Sequence, residues 1–244
     1  MSALDAHRWK IVKAAIEGRR VAFVREAIVP LQPFSSHGYY ELTPRMRDGR
    51  AGFTATDFLV SEAEGFGIEY CVHRWLILAA LLWLREKKEV AADAELCFIR
   101  PASQSLMDEQ FGAFVIQMLH ESKVRPGRLC FELAEEDVLK DTDTLVERFL
   151  LPIRDLGCRI AIDDFGPGKS SLNYLHYVPA HFIKIYDRLV ARILHDEMDQ
   201  SMVEAISHIG RLLRLAVIAK GADSPEIVTL LREMKVAYAQ GPAI

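Results

Sequence analysis

The chain reads as an α/β protein of the (β/α)8, TIM-like barrel type. Three observations point there. Short β-rich runs recur eight times along the 244 residues, most of them separated by helix-length segments. Each run contains or ends at a polar or charged residue, as expected where strand ends converge on one mouth. No G-x-G-x-x-G follows the first run, which weakens a dinucleotide-binding version of the structural alternative, a doubly wound open sheet.

The runs are 21–29, 39–45, 95–100, 129–135, 159–164, 182–187, 216–220 and 236–240. They deliver Glu26, Glu41, Arg100, Glu132 and Glu135, Asp163, Lys184, Lys220 and Gln240. Helical patterns fill 70–89, 103–122, 142–156, 187–213 and 225–234, and another helix is expected over about 4–18, stopped at Gly18. Ser224-Pro225-Glu226 is a helix start, with serine as cap and proline at the first position. Ser103-Gln104 and Asp141-Thr142 are similar candidates. Asp196, Glu197 and Asp199 read as a solvated acidic face. The second connection, 46–94, is long, but there is no repeat and no low-complexity linker. One domain over 1–244 is therefore expected, ending just after the eighth strand. The barrel then lacks an eighth outer helix unless the N-terminal helix covers that gap.

Half of the residues are hydrophobic, enough for a sizeable core. The net charge of -4 and the lack of a basic stripe argue against nucleic acid. The longest apolar run, 75–84, is broken by Arg85, Glu86, Lys87 and Lys88 and is too short to span a bilayer. With no basic-then-apolar leader at the N-terminus, a cytoplasmic location is expected. Cys71, Cys97, Cys130 and Cys158 lack metal-finger spacing and read as core residues, and the histidines show no metal spacing either. Trp75 and Trp83 share a helical stripe and are expected to pack on the barrel.

The most informative stretch is Arg159-Ile160-Ala161-Ile162-Asp163-Asp164-Phe165-Gly166. A buried strand that ends in adjacent carboxylates either makes a solvated turn or presents oxygens to a cation or phosphoester. Neighbouring carboxylates repel, so they need a cation or a shared proton.

At the strand ends the chain resembles the EAL domain, the cyclic di-GMP phosphodiesterase family, from about Ile11 to Pro242. Asp163-Asp164-Phe165-Gly166-Pro167-Gly168-Lys169-Ser170-Ser171-Leu172 is similar to the family's DDFGTGYSSL. Phe182-Ile183-Lys184-Ile185 is similar to its lKI strand, and Phe131-Glu132-Leu133-Ala134-Glu135 to its E-I/L-T-E strand. Val217-Ile218-Ala219-Lys220-Gly221-Ala222-Asp223 lines up with V-I/V-A-E-G-V-E, and Gln240-Gly241 with the closing Q-G. The resemblance implies a barrel, usually a homodimer, with the loop after Asp164 near the dimer contact. It implies metal-assisted hydrolysis of cyclic di-GMP to linear pGpG with Mg²⁺ or Mn²⁺. By the same resemblance Glu41, Glu132, Asp163 and Asp164 match metal ligands, Lys184 the lysine that positions the water, Arg45 the arginine facing phosphate, and Glu135 the support of the loop after the fifth strand.

The sequence departs from that pattern. E-A-L-L-R reads Glu41-Leu42-Thr43-Pro44-Arg45, and V-N-L-S reads Ile99-Arg100-Pro101-Ala102, so a metal-binding Asn becomes Arg100. The general-base Glu becomes Lys220, the second Glu becomes Asp223, and the Asp after lKI becomes Tyr186. Y-Q-P-I reads Arg25-Glu26-Ala27-Ile28 and loses a Gln that touches ligand. Arg100 and Lys220 put fixed cations where metals and a base belong, and at ~4 Å a unit charge pair is worth about 4 kcal/mol at an effective dielectric near 20. The expectation is a salt-bridged mouth without a cofactor, in a degenerate domain that acts as a receptor or as a module for an unidentified protein partner. Cyclic di-GMP is the candidate ligand, held by Arg45, Arg100, Lys220, Asp223 and Gln240. The alternative is a surviving phosphodiesterase using Mg²⁺ or Mn²⁺, with Asp223 as the nearby acidic candidate for a base.

Overall fold

The computed structural model describes residues 21–33, 38–47, 53–55, 69–86, 96–166 and 172–244. The expected N-terminal helix over 4–18 lies outside them. The strands are β1 (Val21–Pro30), β2 (Tyr39–Arg47), β3 (Phe53–Ala55), β4 (Cys97–Ile99), β5 (Leu129–Ala134), β6 (Arg159–Phe165), β7 (Phe182–Ile185), β8 (Ala216–Ala219) and β9 (Tyr238–Ala239). Their order is β1-β9-β8-β7-β6-β5-β4-β2-β3, and β1 also pairs with β2. That extra pairing closes an eight-stranded barrel, with β3 hanging outside on β2. The expected barrel is present.

Its first strand is not as a regular βα repeat would have it. β1 and β2 form a hairpin in register from Val21↔Met46 to Ile28↔Tyr39, and β1 is antiparallel to β9 as well. The pairs from β2–β4 through β8–β9 are all parallel.

Strand side chains alternate with a period of two, and here the alternation builds two layers inside the barrel. The lower layer is apolar: Ile28, Phe98, Cys130, Ala161, Phe182, Ile218 and Tyr238 cluster together with Tyr39 against them. Ring contacts of 5.0 to 6.0 Å tie Tyr39 to Phe98, Phe182 and Tyr238. Two residues further along each parallel strand stand Glu41, Arg100, Glu132, Asp163, Lys184, Lys220 and Gln240. On β1 the polar residue, Glu26, comes two positions before Ile28, as its reversed direction requires.

A larger apolar layer lies between the barrel and its helices, including Ile77, Leu81, Phe111, Val115, Phe149, Ile153, Val203, Ile206, Ile227 and Leu231. Two expected helices are interrupted. The pattern over 103–122 splits into Ser103–Leu106 and Phe111–Ser122. The pattern over 187–213 splits into Asp187–Arg192 and Glu197–Leu213 because Asp196 caps the second piece, accepting from Met198 N and Asp199 N. Asp199 is not solvated: it is buried and accepts from Arg192 Nε at 2.5 Å. Ser224 and Asp141 cap as expected, while Ser103 Oγ donates instead to Asp137 at 2.5 Å. No helix among the described residues is long and apolar enough to cross a membrane.

Candidate functional site

The upper layer holds two charged hydrogen-bonded clusters side by side. Lys184 is wholly buried, and its Nζ donates to Glu132 Oε1 at 2.5 Å and Glu41 Oε2 at 2.7 Å. Gln240 Nε2 donates to the same Glu41 oxygen at 2.9 Å and to Glu26 Oε2 at 3.2 Å. Glu26 Oε1 in turn accepts from Thr43 Oγ1 and lies 3.4 Å from Arg45 Nη2. On the other side, Lys220 Nζ lies 2.6 Å from Asp163 Oδ1 and contacts Asp164 Oδ1. Arg100 spans the same pair, with Nη1 at 2.9 Å from Asp163 Oδ2 and Nη2 at 3.2 Å from Asp164 Oδ2.

Neighbouring residues of a regular strand face opposite ways, yet both carboxylates of Asp163-Asp164 meet the same cations. The cause is a register shift between β6 and β7 at Ile162/Phe165, where Asp164 takes a left-handed φ of 55°. Two residues on, Gly166 has φ 119°, and a Cβ there would come within 2.9 Å of Leu189 Cδ1. Its N–H points at Glu135 Oε2 at 3.4 Å, while Tyr174 Oη donates to Glu135 Oε1 at 3.0 Å. Glu135 thus holds Gly166 and Tyr174, the described residues on either side of 167–171. Gly241 is required for a different reason: a Cβ would meet the Ala222 backbone N and O at 2.5 Å, where the segments after β8 and β9 pair through Ala222 N–H to Gln240 O.

Burial and charge set the protonation of this layer. For Asp163, burial works against ionisation, but Lys184, Lys220 and Arg100 outweigh it and hold the carboxyl below its usual range. Glu41 is held low against its own burial by Lys184 and the Gln240 hydrogen bond. Burial pushes Glu132 up to about 8, with Lys184 pulling the other way and the Glu41 and Asp163 charges adding to the rise. Lys184 and Lys220 are both raised: burial disfavours their charge, and the carboxylates around them overcome it. Both lysines therefore remain ammonium ions at neutral pH, unable to accept a proton.

The sequence expected Arg100 and Lys220 to pair within this mouth, and the structure makes the division specific: they take the Asp163–Asp164 pair, and Lys184 takes Glu41 and Glu132. Asp223, also singled out in the sequence, is exposed and joins no hydrogen bond or ion pair among the described residues. Glu26, not singled out as a binding residue, is part of the network. Its signal was available, since it stands two residues from an inward apolar position as every other member does.

A pair of Mg²⁺ or Mn²⁺ ions requires several oxygens with free lone pairs converging within bonding distance. The carboxylates are present, but three fixed cations already occupy their oxygens. Among the described residues no group of three or more acidic, histidine or cysteine side chains is arranged to hold a metal. Glu132 Oε2 is the buried carboxylate oxygen of this layer left without a hydrogen-bond partner or ion pair, and one oxygen does not make a site. The donor set does not fit a divalent pair.

Beside the network, a cavity of ≈ 470 Å³ opens between β2, the 69–86 helix and the loop after β4, with Pro44, Arg45, Arg100 and Ser103 on its wall.

A closed barrel with a charged layer at the C-terminal strand ends is the arrangement of a TIM-like binding or catalytic domain. Over residues 12–244 the chain matches the EAL domain, and it belongs to that family. It is 26% identical over 212 residues to the cyclic di-GMP phosphodiesterase PdeF of Escherichia coli, covering 87% of this chain and 28% of that protein. The chain thus spans about a quarter of the length of the curated relatives it matches. Among solved structures it resembles the PaMucR phosphodiesterase in complex with c-di-GMP, at TM-score 0.85 and 23% identity over 96% of this chain and 94% of the other. It also resembles the FimX EAL domain from Pseudomonas aeruginosa bound to c-di-GMP, at TM-score 0.83 and 21% identity over 96% and 93%. At these identities the structural likeness is one of fold.

Proposed function

We propose that this EAL domain acts in cyclic di-GMP signalling as a receptor that binds the dinucleotide without hydrolysing it. The observation that carries the reading is Lys220, placed between Asp163 and Asp164 as an ammonium. An ammonium cannot take a proton from water, and it neutralises the oxygens that a metal would need. The exposed position of Asp223 supports the reading against the surviving phosphodiesterase, since no hydrogen bond ties it to the described mouth. Arg45 and the half-exposed Arg100, whose side chain keeps 45% of its surface, supply donors for the two phosphates. Both line the adjoining cavity. That the family includes phosphodiesterases, and that the FimX EAL domain binds c-di-GMP, makes this dinucleotide the ligand of choice.

Isothermal titration with cyclic di-GMP, in Mg²⁺ and then in EDTA, with the same mixtures assayed for pGpG, tests it. Binding of equal strength in both, without product, is expected. Turnover well above background overturns the reading. Neither heat nor product replaces it with a module that works by contacting another protein.

A further inference from the structure

We infer that the opposite, N-terminal end of the barrel carries a second site, for a small phosphate-bearing anion. Two adjoining cavities of ≈ 400 and ≈ 250 Å³ open there and share Arg214 and Ala216. They lie against the first residues of the strands: Tyr39 of β2, Arg159 of β6, Phe182 of β7 and Tyr238 of β9. Arg159, His181, Arg211, Arg214 and Lys235 line them, and among the described residues no Asp or Glu does. In a chain of net charge -4 this is a local inversion of sign.

The donors are available. Among the described residues neither the Arg159 nor the Arg214 guanidinium makes a hydrogen bond or ion pair. This contrasts with Arg100, Arg148, Arg154 and Arg192, each of which holds a carboxylate. His181 Nδ1 accepts from the Ile160 N–H at 3.2 Å, so in the neutral ring Nε2 carries the proton and is a donor. Burial, and after it the Arg159 and Arg154 charges, hold His181 below its usual pKa, which registers the positive field. Arg214 ends the 197–213 helix in a left-handed turn with φ 59°, and its charge there complements the helix dipole. That accounts for Arg214 but not for Arg159, which opens a strand.

Two guanidinium groups and an imidazole N–H around a concavity recognise phosphate oxygens, with Arg able to contact two at once. The volumes suit a small molecule, and Tyr39 and Phe182 offer an aromatic flank for its organic part. The site does not rest on the reading of the mouth.

The test is titration of the whole chain with pyrophosphate in EDTA at low ionic strength, repeated on Arg159→Gln/Arg214→Gln and on Arg45→Gln, a mouth variant. Both lower arginines are exposed, so the fold should survive, and circular dichroism checks it; each single variant serves if the pair does not fold. Affinity is expected to fall at least about tenfold in the lower-face variant and to stay within about twofold in Arg45→Gln. No binding to the wild type, or loss in Arg45→Gln alone, overturns the site. Tighter binding of hexaglutamate than of pyrophosphate overturns the ligand class and points to an acidic peptide.

Discussion

Lys184 Nζ and Glu132 Oε1 meet at 2.5 Å with no exposure on either side. Such a pair loses hydration that its attraction only partly returns, so removing one member costs far more than removing both. Lys184→Met is expected to destabilise the domain by about 3–5 kcal/mol. Lys184→Met/Glu132→Gln is expected to recover most of that loss. Urea denaturation of the two variants checks it.

Stability should rise and then fall with pH. Asp163 and Glu41 are held below their ordinary values, so the unfolded chain takes up protons first on acidification. Their contribution is full above about pH 4 and is lost as pH falls through their lowered values. Glu132 has the opposite sign: raised to about 8, it stabilises the fold most below its ordinary value of 4.5, and this contribution is lost as pH rises to about 8. Thermal melts across this range are expected to give a maximum, and Glu132→Gln to flatten the alkaline limb while leaving the acid limb in place.

Restoring the acidic character of the mouth should create a cation site. Arg100→Asn/Lys220→Glu removes both cations from Asp163 and Asp164 and adds a carboxylate. Mn²⁺ is expected to raise the melting temperature of this variant by several degrees and to leave the wild type unchanged, which differential scanning calorimetry measures. Equal shifts in both would show that the native carboxylates already bind the ion.

Glu26 competes with phosphate for Arg45, lying 3.4 Å from it. If the mouth binds cyclic di-GMP as proposed, Glu26→Gln should tighten binding about five- to tenfold, the worth of one partly exposed charge. Calorimetry on the variant measures this, and weaker binding would instead make Glu26 a ligand contact.

Gly241→Ala is expected to cost more than about 2 kcal/mol, since backbone atoms of Ala222 at 2.5 Å cannot yield as a side chain would. Chemical denaturation checks this, and a near-neutral change would mean that the β9 end can shift.

Much of this was legible because strand periodicity places residues without help from distant parts of the chain. The alternation of Cys130 with Glu132, or Phe182 with Lys184, predicts an apolar floor beneath a charged mouth. The direction of β1 was harder to read, since alternation is the same in both directions; only the order of Glu26 before Ile28 distinguishes them. The turn at Asp164 was hidden too, because an aspartate at φ 55° depends on a bulge in the neighbouring strand pairing. The division of cations between carboxylates depends on barrel geometry, which spacing along the chain does not encode. Asp196 reads in the sequence as one more solvated charge, yet it caps the 197–213 helix.

The seam between β1 and β9 is short: Val29 pairs with Ala239 and Pro30 with Tyr238, and the Leu31 N–H donates to Ala237 O. The strand that completes the ring comes after all the other barrel strands in chain order, far from the hairpin it must meet. Until the ribosome has released residue 239, the growing chain holds an open arc of sheet with two raw edges. Such an open arc offers its edges to a second chain, so edge-to-edge aggregation competes with closure until β9 is in place.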